Sequence, residues 1–155
     1  MPSTFIFVRH GENLKTKDGA GRSVDNGLTP GGLEYAHRAA EWVQSIGISP
    51  GLIVHTRKPR TRQTARVIAG LYRDETPIFE ARSGFLDMTG LEAKLTRWTR
   101  NRSADVVLFC GHHTSQRVLT NTFGLQLKPQ ERVVIVLDLP TEEERSWSLV
   151  NHHVP

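Results

Sequence analysis

The sequence predicts an α/β fold, a three-layer sandwich in which a mostly parallel central sheet is flanked by helices on both faces. Short apolar segments of strand length alternate with segments whose apolar residues repeat at helical spacing, which is typical of such sheets. The longest uncharged apolar runs, Val106–Cys110 and Val133–Leu137, have the length of buried strands. With 155 residues, 37% of them hydrophobic, the chain fits a single domain over residues 1–155.

The first elements are predicted from apolar runs and capping residues. Thr4–Val8 is a short β-prone run that indicates a buried strand, and residues 15–26, rich in Gly, Lys and Asp without any period, are expected to form a loop. Thr29 is the expected N-cap of a helix with Pro30 at its first position, and Gly47 is expected to end it. The predicted apolar face of this helix consists of Leu33, Ala36, Ala40 and Val43.

Strands and helices continue to alternate along the rest of the chain. The remaining predicted elements are a strand at Leu52–Val54, a helix from about Arg60 to Tyr72, a short strand at Pro77–Phe79, a helix marked by Leu91, Leu95 and Trp98, a strand at Asp105–Cys110, a helix covering Gln116–Phe123, and a strand at Arg132–Leu137 that pairs with Ser146–Asn151. This order predicts helices on both faces of one sheet.

Composition narrows the class of protein. The single cysteine, Cys110, excludes a disulfide framework and a multi-cysteine metal site, and its place in an apolar strand predicts an inert core thiol. The apolar runs are too short for a secretion signal or a membrane span, so a soluble cytoplasmic protein is expected.

The net charge of +4 favours anionic partners, and much of the excess lies in one stretch. Its cations are Arg57, Lys58, Arg60, Arg62 and Arg66. A phosphate pocket and a nucleic-acid patch both fit such a stretch. Few aromatic residues stand between these charges to stack on bases, so we expect phosphate binding and no nucleic acid or membrane partner.

Polar groups follow the predicted strands where a parallel sheet binds its ligands, at the carboxyl ends. In chain order these groups are Arg9, His10, Gly11 and Glu12; His55 and Thr56, leading to Arg60; Glu80; and Gly111, His112 and His113. Arginine presents a fork of donors that matches phosphoryl oxygens, and histidine can serve as a nucleophile. A protonated carboxyl group can donate its proton to a leaving oxygen. The pattern therefore predicts phosphoryl-transfer chemistry.

Several motifs resemble those of the histidine phosphatase superfamily, which includes phosphoglycerate mutases and phosphohistidine phosphatases. The matching segments are the family's RHGE string at residues 9–12 after the first strand, D-x-x-L-T at residues 25–29 before Gly31 and Gly32, R-x-x-Q-T-A at residues 60–65, the E-x-x-x-G spacing of Glu80 and Gly84, and Gly111-His112 after the fourth strand. Together they cover about residues 4–125 in the family's order.

The resemblance implies a metal-independent phosphatase without a cofactor. It implies that His10 is the nucleophile, that Arg9, Arg60 and His112 bind the phosphoryl group, and that Glu80 is the proton donor, with Asp87 as the alternative donor. Glu12 either orders the loop or is simply solvated.

Departures from the family pattern bear on the substrate. The family often has S-P-L before its second arginine, whereas this chain has Thr56, Arg57 and Lys58 before Pro59, and His113 follows the second histidine. Arg57, Lys58 and His113 are therefore the expected substrate-selecting residues, and the extra cations favour a more anionic substrate.

The substrate itself stays open between a small phosphorylated metabolite, which is expected first, and a phosphohistidine protein. The long insertions of the mutases are absent, so a mutase is less favoured, as is a non-catalytic phosphate-binding module. Either a monomer or a homodimer is compatible with the sequence.

Two other kinds of site are not favoured. The pairs His112-His113 and His152-His153 lack an acid or cysteine at ligand spacing, so no metal is expected. An H-x-T phosphoesterase needs two separate motifs, and the second candidate here overlaps the first at His112 and His113.

Overall fold

A computed structural model of the protein describes residues 2–72, 76–82, 85–128, 130–141, 143 and 146–155. Within these residues the chain forms eight strands and four helices. They are β1 (Thr4–Arg9), β2 (Asn13–Lys17), β3 (Ser23–Leu28), α1 (Pro30–Ser45), β4 (Leu52–His55), α2 (Pro59–Gly70), β5 (Ile78–Glu80), α3 (Leu91–Trp98), β6 (Val106–Gly111), α4 (His113–Thr122), β7 (Val134–Asp138) and β8 (Ser148–His153).

Six strands form the central sheet, in the order β5-β4-β6-β1-β7-β8. The first four of this order run parallel to one another, whereas β7 pairs antiparallel with β1 and with β8. The sheet is thus mixed and mostly parallel, as predicted. Parallel β1, β4, β5 and β6 all end at one edge, and the candidate site lies there.

A buried cluster of apolar side chains lies on each face of the sheet. Helices α1 and α2 pack on one face, where Ala40, Val43 and Ile68 join Ile6 and Val8 of β1. Helices α3 and α4 cover the other, where Leu95, Trp98 and Leu119 join Phe5 and Phe7. Successive side chains of a strand point to opposite faces, so β1 must be apolar throughout to serve both layers. The three-layer prediction is confirmed.

The predicted loop over residues 15–26 is wrong, because β2 and β3 pair there as an antiparallel hairpin. The Asp18 carboxylate accepts hydrogen bonds from the backbone of Ala20 and Arg22, and Gly21 takes a positive φ of 77°. Most side chains of this hairpin are exposed, so neither face has the apolar alternation from which a strand is recognised.

Helix α1 is capped as predicted, but its buried face is shifted. The Thr29 hydroxyl accepts a hydrogen bond from the Gly32 amide, and Pro30 is at the first helical position. Leu33, predicted to face the core, is 41% exposed, and Tyr35 and Ala39 are buried with the remaining predicted residues.

Two boundaries near the site also differ from the prediction. Helix α4 begins at His113 with His112 as its N-cap residue, and Glu80 lies within β5 rather than after it.

Among the described residues, no helix is both long and apolar enough to cross a membrane.

Candidate active site

The pairing of β1 with β6 brings the two key histidines together. Arg9 is in register with Gly111, and the His10 amide donates to the Gly111 carbonyl at 2.9 Å. His10 directly follows β1, and His112 directly follows β6. The register of the two strands therefore places the rings side by side, with their centroids 5.5 Å apart.

Hydrogen bonding sets the tautomer of His10. Its Nδ1 lies 2.6 Å from the carbonyl oxygen of Gly11, which can only accept, so Nδ1 carries the proton. Burial, opposed by this hydrogen bond and assisted by the charge of Arg60, lowers the pKa of His10 to about 3. The ring is therefore neutral near pH 7, and its Nε2 carries a lone pair as a nucleophile requires.

His112 is oriented by a chain of hydroxyl groups. Arg60 Nη2 lies 3.4 Å from Nδ1 of His112 and can only donate, which leaves Nε2 to donate to the Thr56 hydroxyl at 2.8 Å. Thr56 Oγ1 contacts Thr61 Oγ1 at 2.7 Å, and Thr61 donates to the Lys58 carbonyl. Burial and the charges of Arg60 and Lys58 lower the pKa of His112 to about 4.

Arg60 is held at the start of α2 by Asp25 of the hairpin. Oδ2 of Asp25 accepts from Nη1 of Arg60 at 3.0 Å and from its backbone amide at 3.2 Å. Oδ1 of Asp25 accepts from the Gly27 amide. These hydrogen bonds and the charge of Arg60 outweigh the opposing effect of burial and lower the pKa of Asp25. Asp25 was noted in the D-x-x-L-T motif, but the sequence did not predict that it positions Arg60.

Arg132 is a site residue that the sequence analysis missed. Its Nε donates to the carbonyl of His10 at 2.9 Å, and burial together with the charge of Arg132 lowers the pKa of Arg9. The preceding residue, Glu131, accepts hydrogen bonds through its carbonyl from Arg9 and from Gln116 of α4. Arg132 has no recognisable motif, since it lies just before β7 and far from the other site residues in the chain.

The loop after β1 is fastened to α1 and α2. The amide of Gly11 donates to the hydroxyl of Thr64, which itself donates to the Arg60 carbonyl. Gln63 accepts a hydrogen bond through Oε1 from the Leu28 amide. The R-x-x-Q-T-A motif of α2 therefore hydrogen-bonds to both the loop after β1, through Thr64, and the hairpin, through Gln63. The exposed carboxylate of Glu12 accepts from the Thr29 hydroxyl at 3.0 Å, which supports its predicted ordering role.

A cavity of 500 Å³, called here the catalytic cavity, contains most of these groups. Its lining residues are Arg9, His10, Asn13, Lys15, Lys58, Arg60, His112, His113, Thr114 and Arg132. The structure thus brings together all the predicted phosphate-binding residues, and it adds Lys58 and His113 at the same cavity. Arg57 lies beside it, in an adjoining cavity.

Neither predicted proton donor lines the catalytic cavity. Glu80 is half exposed at the end of β5, with its carboxylate 4.0 Å from Nη2 of Arg62. Asp87 accepts through Oδ1 from the Gly90 amide at 2.7 Å, at the start of α3. Gly84, which completes the E-x-x-x-G spacing, lies outside the described residues.

The single thiol of the chain lies in the core and not at the candidate site. Cys110 is fully buried, which raises the pKa of its thiol, so it is the inert core thiol that was predicted. Among the described residues, no group of three or more His, Cys, Asp or Glu side chains could hold a metal ion.

Comparison with protein families adds an independent finding to this geometry. Residues 5–82 match the model of the histidine phosphatase superfamily, branch 1. The chain belongs to this superfamily. The matched residues include Arg9, His10 and Arg60, and the predicted family is therefore confirmed.

Solved structures of similar fold cover nearly the whole chain. A candidate phosphohistidine phosphatase SixA from Agrobacterium tumefaciens aligns with a TM-score of 0.70 at 19% identity, covering 100% of this chain and 99% of that one. The protein histidine phosphatase SixA complexed with tungstate gives 0.69 at 16% identity, with 97% and 96% covered. A phosphoserine phosphatase from Entamoeba histolytica gives 0.57 at 14% identity, with 96% and 95% covered. At these identities the likeness concerns the fold. No curated protein is significantly similar to the chain.

Proposed function

We propose that this histidine phosphatase superfamily member is a metal-independent phosphatase that forms a phosphohistidine intermediate on His10. The observation that carries the proposal is the placement of His10 in a cavity rich in cations. Its Nδ1 lies within hydrogen-bond distance of the Gly11 carbonyl, and its Nε2 has no hydrogen-bond partner among the described residues. A neutral imidazole surrounded by guanidinium groups combines a nucleophile with charge that attracts a phosphoryl group.

The reaction is a double displacement. Nε2 of His10 forms a bond to phosphorus as the bond from phosphorus to the leaving group breaks, and the leaving group departs with the electron pair. Arg9, Arg60 and Arg132 offset the charge on the equatorial oxygens. A bound phosphoryl dianion also raises the pKa of His112 from about 4, so that this ring can share in binding as a cation. Water then forms a bond to phosphorus as the bond from phosphorus to Nε2 breaks. The electron pair returns to the neutral His10 ring, and inorganic phosphate is released with the proton of the water passing to the solvent.

The primary substrate class we propose is a small phosphorylated metabolite. The catalytic cavity of 500 Å³ lies within the size range of small-molecule sites. For an ester, the leaving alkoxide needs a proton, and Glu80 is the donor we propose, although it must leave Arg62 to reach the leaving oxygen.

A phosphohistidine protein is the second candidate, and one feature of the cavity favours it. Of the residues that line the catalytic cavity in the described part of the chain, none is a carboxylate. An imidazole whose other ring nitrogen carries a proton leaves as a neutral ring. The conjugate acid of that ring has a pKa of about 6.5, so its departure depends less on a proton donor than that of an alkoxide does. The structures named SixA are similar in fold, which is consistent with this alternative.

The nucleophile is tested by hydrolysis of an aryl phosphate. Wild-type protein should release phosphate equally well with and without a chelator, and His10→Ala should reduce turnover by about a thousandfold or more. The exposed His37 of α1 provides a matched control, since His37→Ala should retain full turnover. Full activity in His10→Ala would contradict the assignment. Trapping an acid-labile phosphoenzyme in wild type would exclude a non-catalytic binding module.

The two substrate classes are separated by the leaving group. Glu80→Gln should slow hydrolysis of an alkyl phosphate by about a hundredfold if Glu80 is the donor, and it should hardly affect a phosphohistidine peptide. Comparable rates for wild type and Glu80→Gln on both substrates would remove Glu80 from the mechanism. The ratio of kcat/KM for the two substrates in wild type then indicates the preferred class.

A further inference from the structure

A second cavity of 570 Å³, called here the side cavity, adjoins the catalytic cavity. The two cavities share Lys58 and His112 in their linings, so one ligand can occupy both. Val24 of the hairpin and Arg82, which follows β5, also line the side cavity. It therefore lies along the carboxyl edge of the sheet, next to the phosphoryl site.

The side cavity carries uncompensated positive charge. Arg57, Lys58 and Arg82 line it, and none of them belongs to an ion pair within the part of the chain that the structure describes. Asp25, the carboxylate among its described lining residues, is already paired with Arg60 at 3.0 Å. The charge acts at a distance, because Lys58 contributes to the lowered pKa of His112. Such a cavity attracts anions.

We propose that the side cavity is a subsite for a second anionic group, a carboxylate or a phosphate, carried by the leaving group of the substrate. This inference rests on the proposed function, since it assumes that the phosphoryl group binds beside His10. Arg57 and Arg82 each present a planar fork of donors that matches an oxyanion, and Lys58 lies between the two cavities.

Such a subsite accounts for two departures from the family motif. Arg57 and Lys58 follow Thr56 where the family often has S-P-L, and both line the side cavity. Arg82 was not predicted from sequence, because the turn after β5 brings it to the same cavity from a different part of the chain. The second anion could be part of a small metabolite or an acidic side chain close to a phosphohistidine in a protein.

The kinetic test compares phenyl phosphate with 4-carboxyphenyl phosphate. We expect wild type to favour the carboxylated substrate by about tenfold in kcat/KM, mainly through KM, because one charge-assisted hydrogen bond contributes about that factor. Arg82→Ala and Arg57→Ala should each remove most of this preference, because they lower kcat/KM for 4-carboxyphenyl phosphate more than for phenyl phosphate. Arg100 is exposed and lines neither cavity, so Arg100→Ala should retain the preference.

A binding measurement tests the subsite independently of turnover. Calorimetry with propylphosphonate and 3-phosphonopropionate, which differ at the terminal carboxylate, should show tighter binding of the carboxylated compound in wild type and a reduced difference in Arg82→Ala. An unchanged difference in both Arg82→Ala and Arg57→Ala, or no difference in wild type, would overturn the small-molecule form of the proposal. Absence of hydrolysis of both phenyl phosphate and phosphohistidine peptides alongside this binding difference would overturn the proposed function and leave the subsite supported.

The source of the anion is distinguished with peptides. Phosphohistidine peptides with acidic or neutral flanking residues are compared in wild type, Arg82→Ala and Arg100→Ala. A preference for acidic flanks that Arg82→Ala removes, without a preference among the small compounds, identifies a protein substrate; the reverse identifies a metabolite. If neither set shows a preference that depends on Arg82 or Arg57, the subsite does not exist.

Discussion

Arg132 is joined to the nucleophile through the main chain, since its Nε donates to the carbonyl of His10 at 2.9 Å. Its charge also contributes to the lowered pKa values of His10 and Arg9. Because it lines the catalytic cavity, the same guanidinium can hold His10 in place and attract a phosphoryl group. A lysine could supply the charge but not the planar fork of donors.

Replacement of Arg132 should therefore weaken phosphate binding. Arg132→Ala is expected to raise the Kd for inorganic phosphate by about tenfold, with a similar loss in kcat/KM, and Arg132→Lys should recover only part of the loss. Calorimetry with inorganic phosphate measures the Kd. Arg66 is exposed on α2, so Arg66→Ala should bind phosphate as wild type does. Unchanged binding in Arg132→Ala would show that Arg132 takes no part in the site.

At the scale of elements, the loop that follows β1 lies directly against the first turn of α1. A Cβ atom at Gly11 would lie 2.5 Å from the Gly32 carbonyl oxygen, and a Cβ at Gly32 would overlap the carbonyl oxygen of Glu12. A Cβ atom at Gly31 would lie no closer than 3.8 Å to its nearest neighbour, the Thr29 hydroxyl, which is an ordinary van der Waals contact. Gly32 therefore allows the loop that carries His10 to pack closely against the first turn of α1, whereas Gly31 has room for a larger side chain.

Alanine at these two neighbouring positions should have opposite effects. Gly32→Ala is expected to destabilise the protein by about 2 kcal/mol or more and to lower activity, because the loop carrying His10 must move. Gly31→Ala should be neutral or stabilise by about 0.5–1 kcal/mol, since alanine favours helix. Thermal unfolding and aryl phosphate hydrolysis check both effects. Equal stability and activity in the two variants would mean that the junction tolerates a side chain.

At the scale of the whole molecule, the fold keeps His10 and His112 neutral. Their pKa values are about 3 and about 4, against about 6.5 in an unfolded chain. Between these values the unfolded state binds more protons than the folded state, so stability rises with pH and is lost as the pH falls below about 6.5. The burial that keeps His10 neutral for attack thus makes the fold sensitive to acid.

Stability measured by denaturant unfolding should therefore decline between pH 7 and pH 5. From its pKa shift, His10 alone accounts for a loss of about 2 kcal/mol over this range. His10→Gln cannot be protonated, so its stability should decline by correspondingly less, while contributions from titratable groups distant from His10 cancel in the comparison. An identical decline for wild type and His10→Gln would show that His10 is not held neutral by the fold.

Most of the fold and the centre of the site could be predicted from sequence. Apolar runs indicated all six strands of the central sheet, and polar residues after Val8, Val54 and Cys110 indicated where chemistry collects. These predictions depend on a general property of parallel strands, whose carboxyl ends meet at one edge however the loops are arranged. The N-cap at Thr29 was also predicted from neighbouring residues alone, and it is confirmed. The polar hairpin gave no such signal, because most of its side chains are exposed and those that contact α2 do so through polar groups.

The sequence by itself thus determined the sheet, the family and the approach of His10, Arg60 and His112, because short-range patterns and strand direction suffice for each. Only the tertiary structure decided which distant groups join them. Arg132 reaches His10 across 122 positions of the chain, and Asp25 reaches Arg60 across 35. Glu80, although suitably spaced, points its carboxylate toward Arg62 instead of lining the cavity. Such contacts depend on where loops return in space, which residue type and spacing do not encode locally.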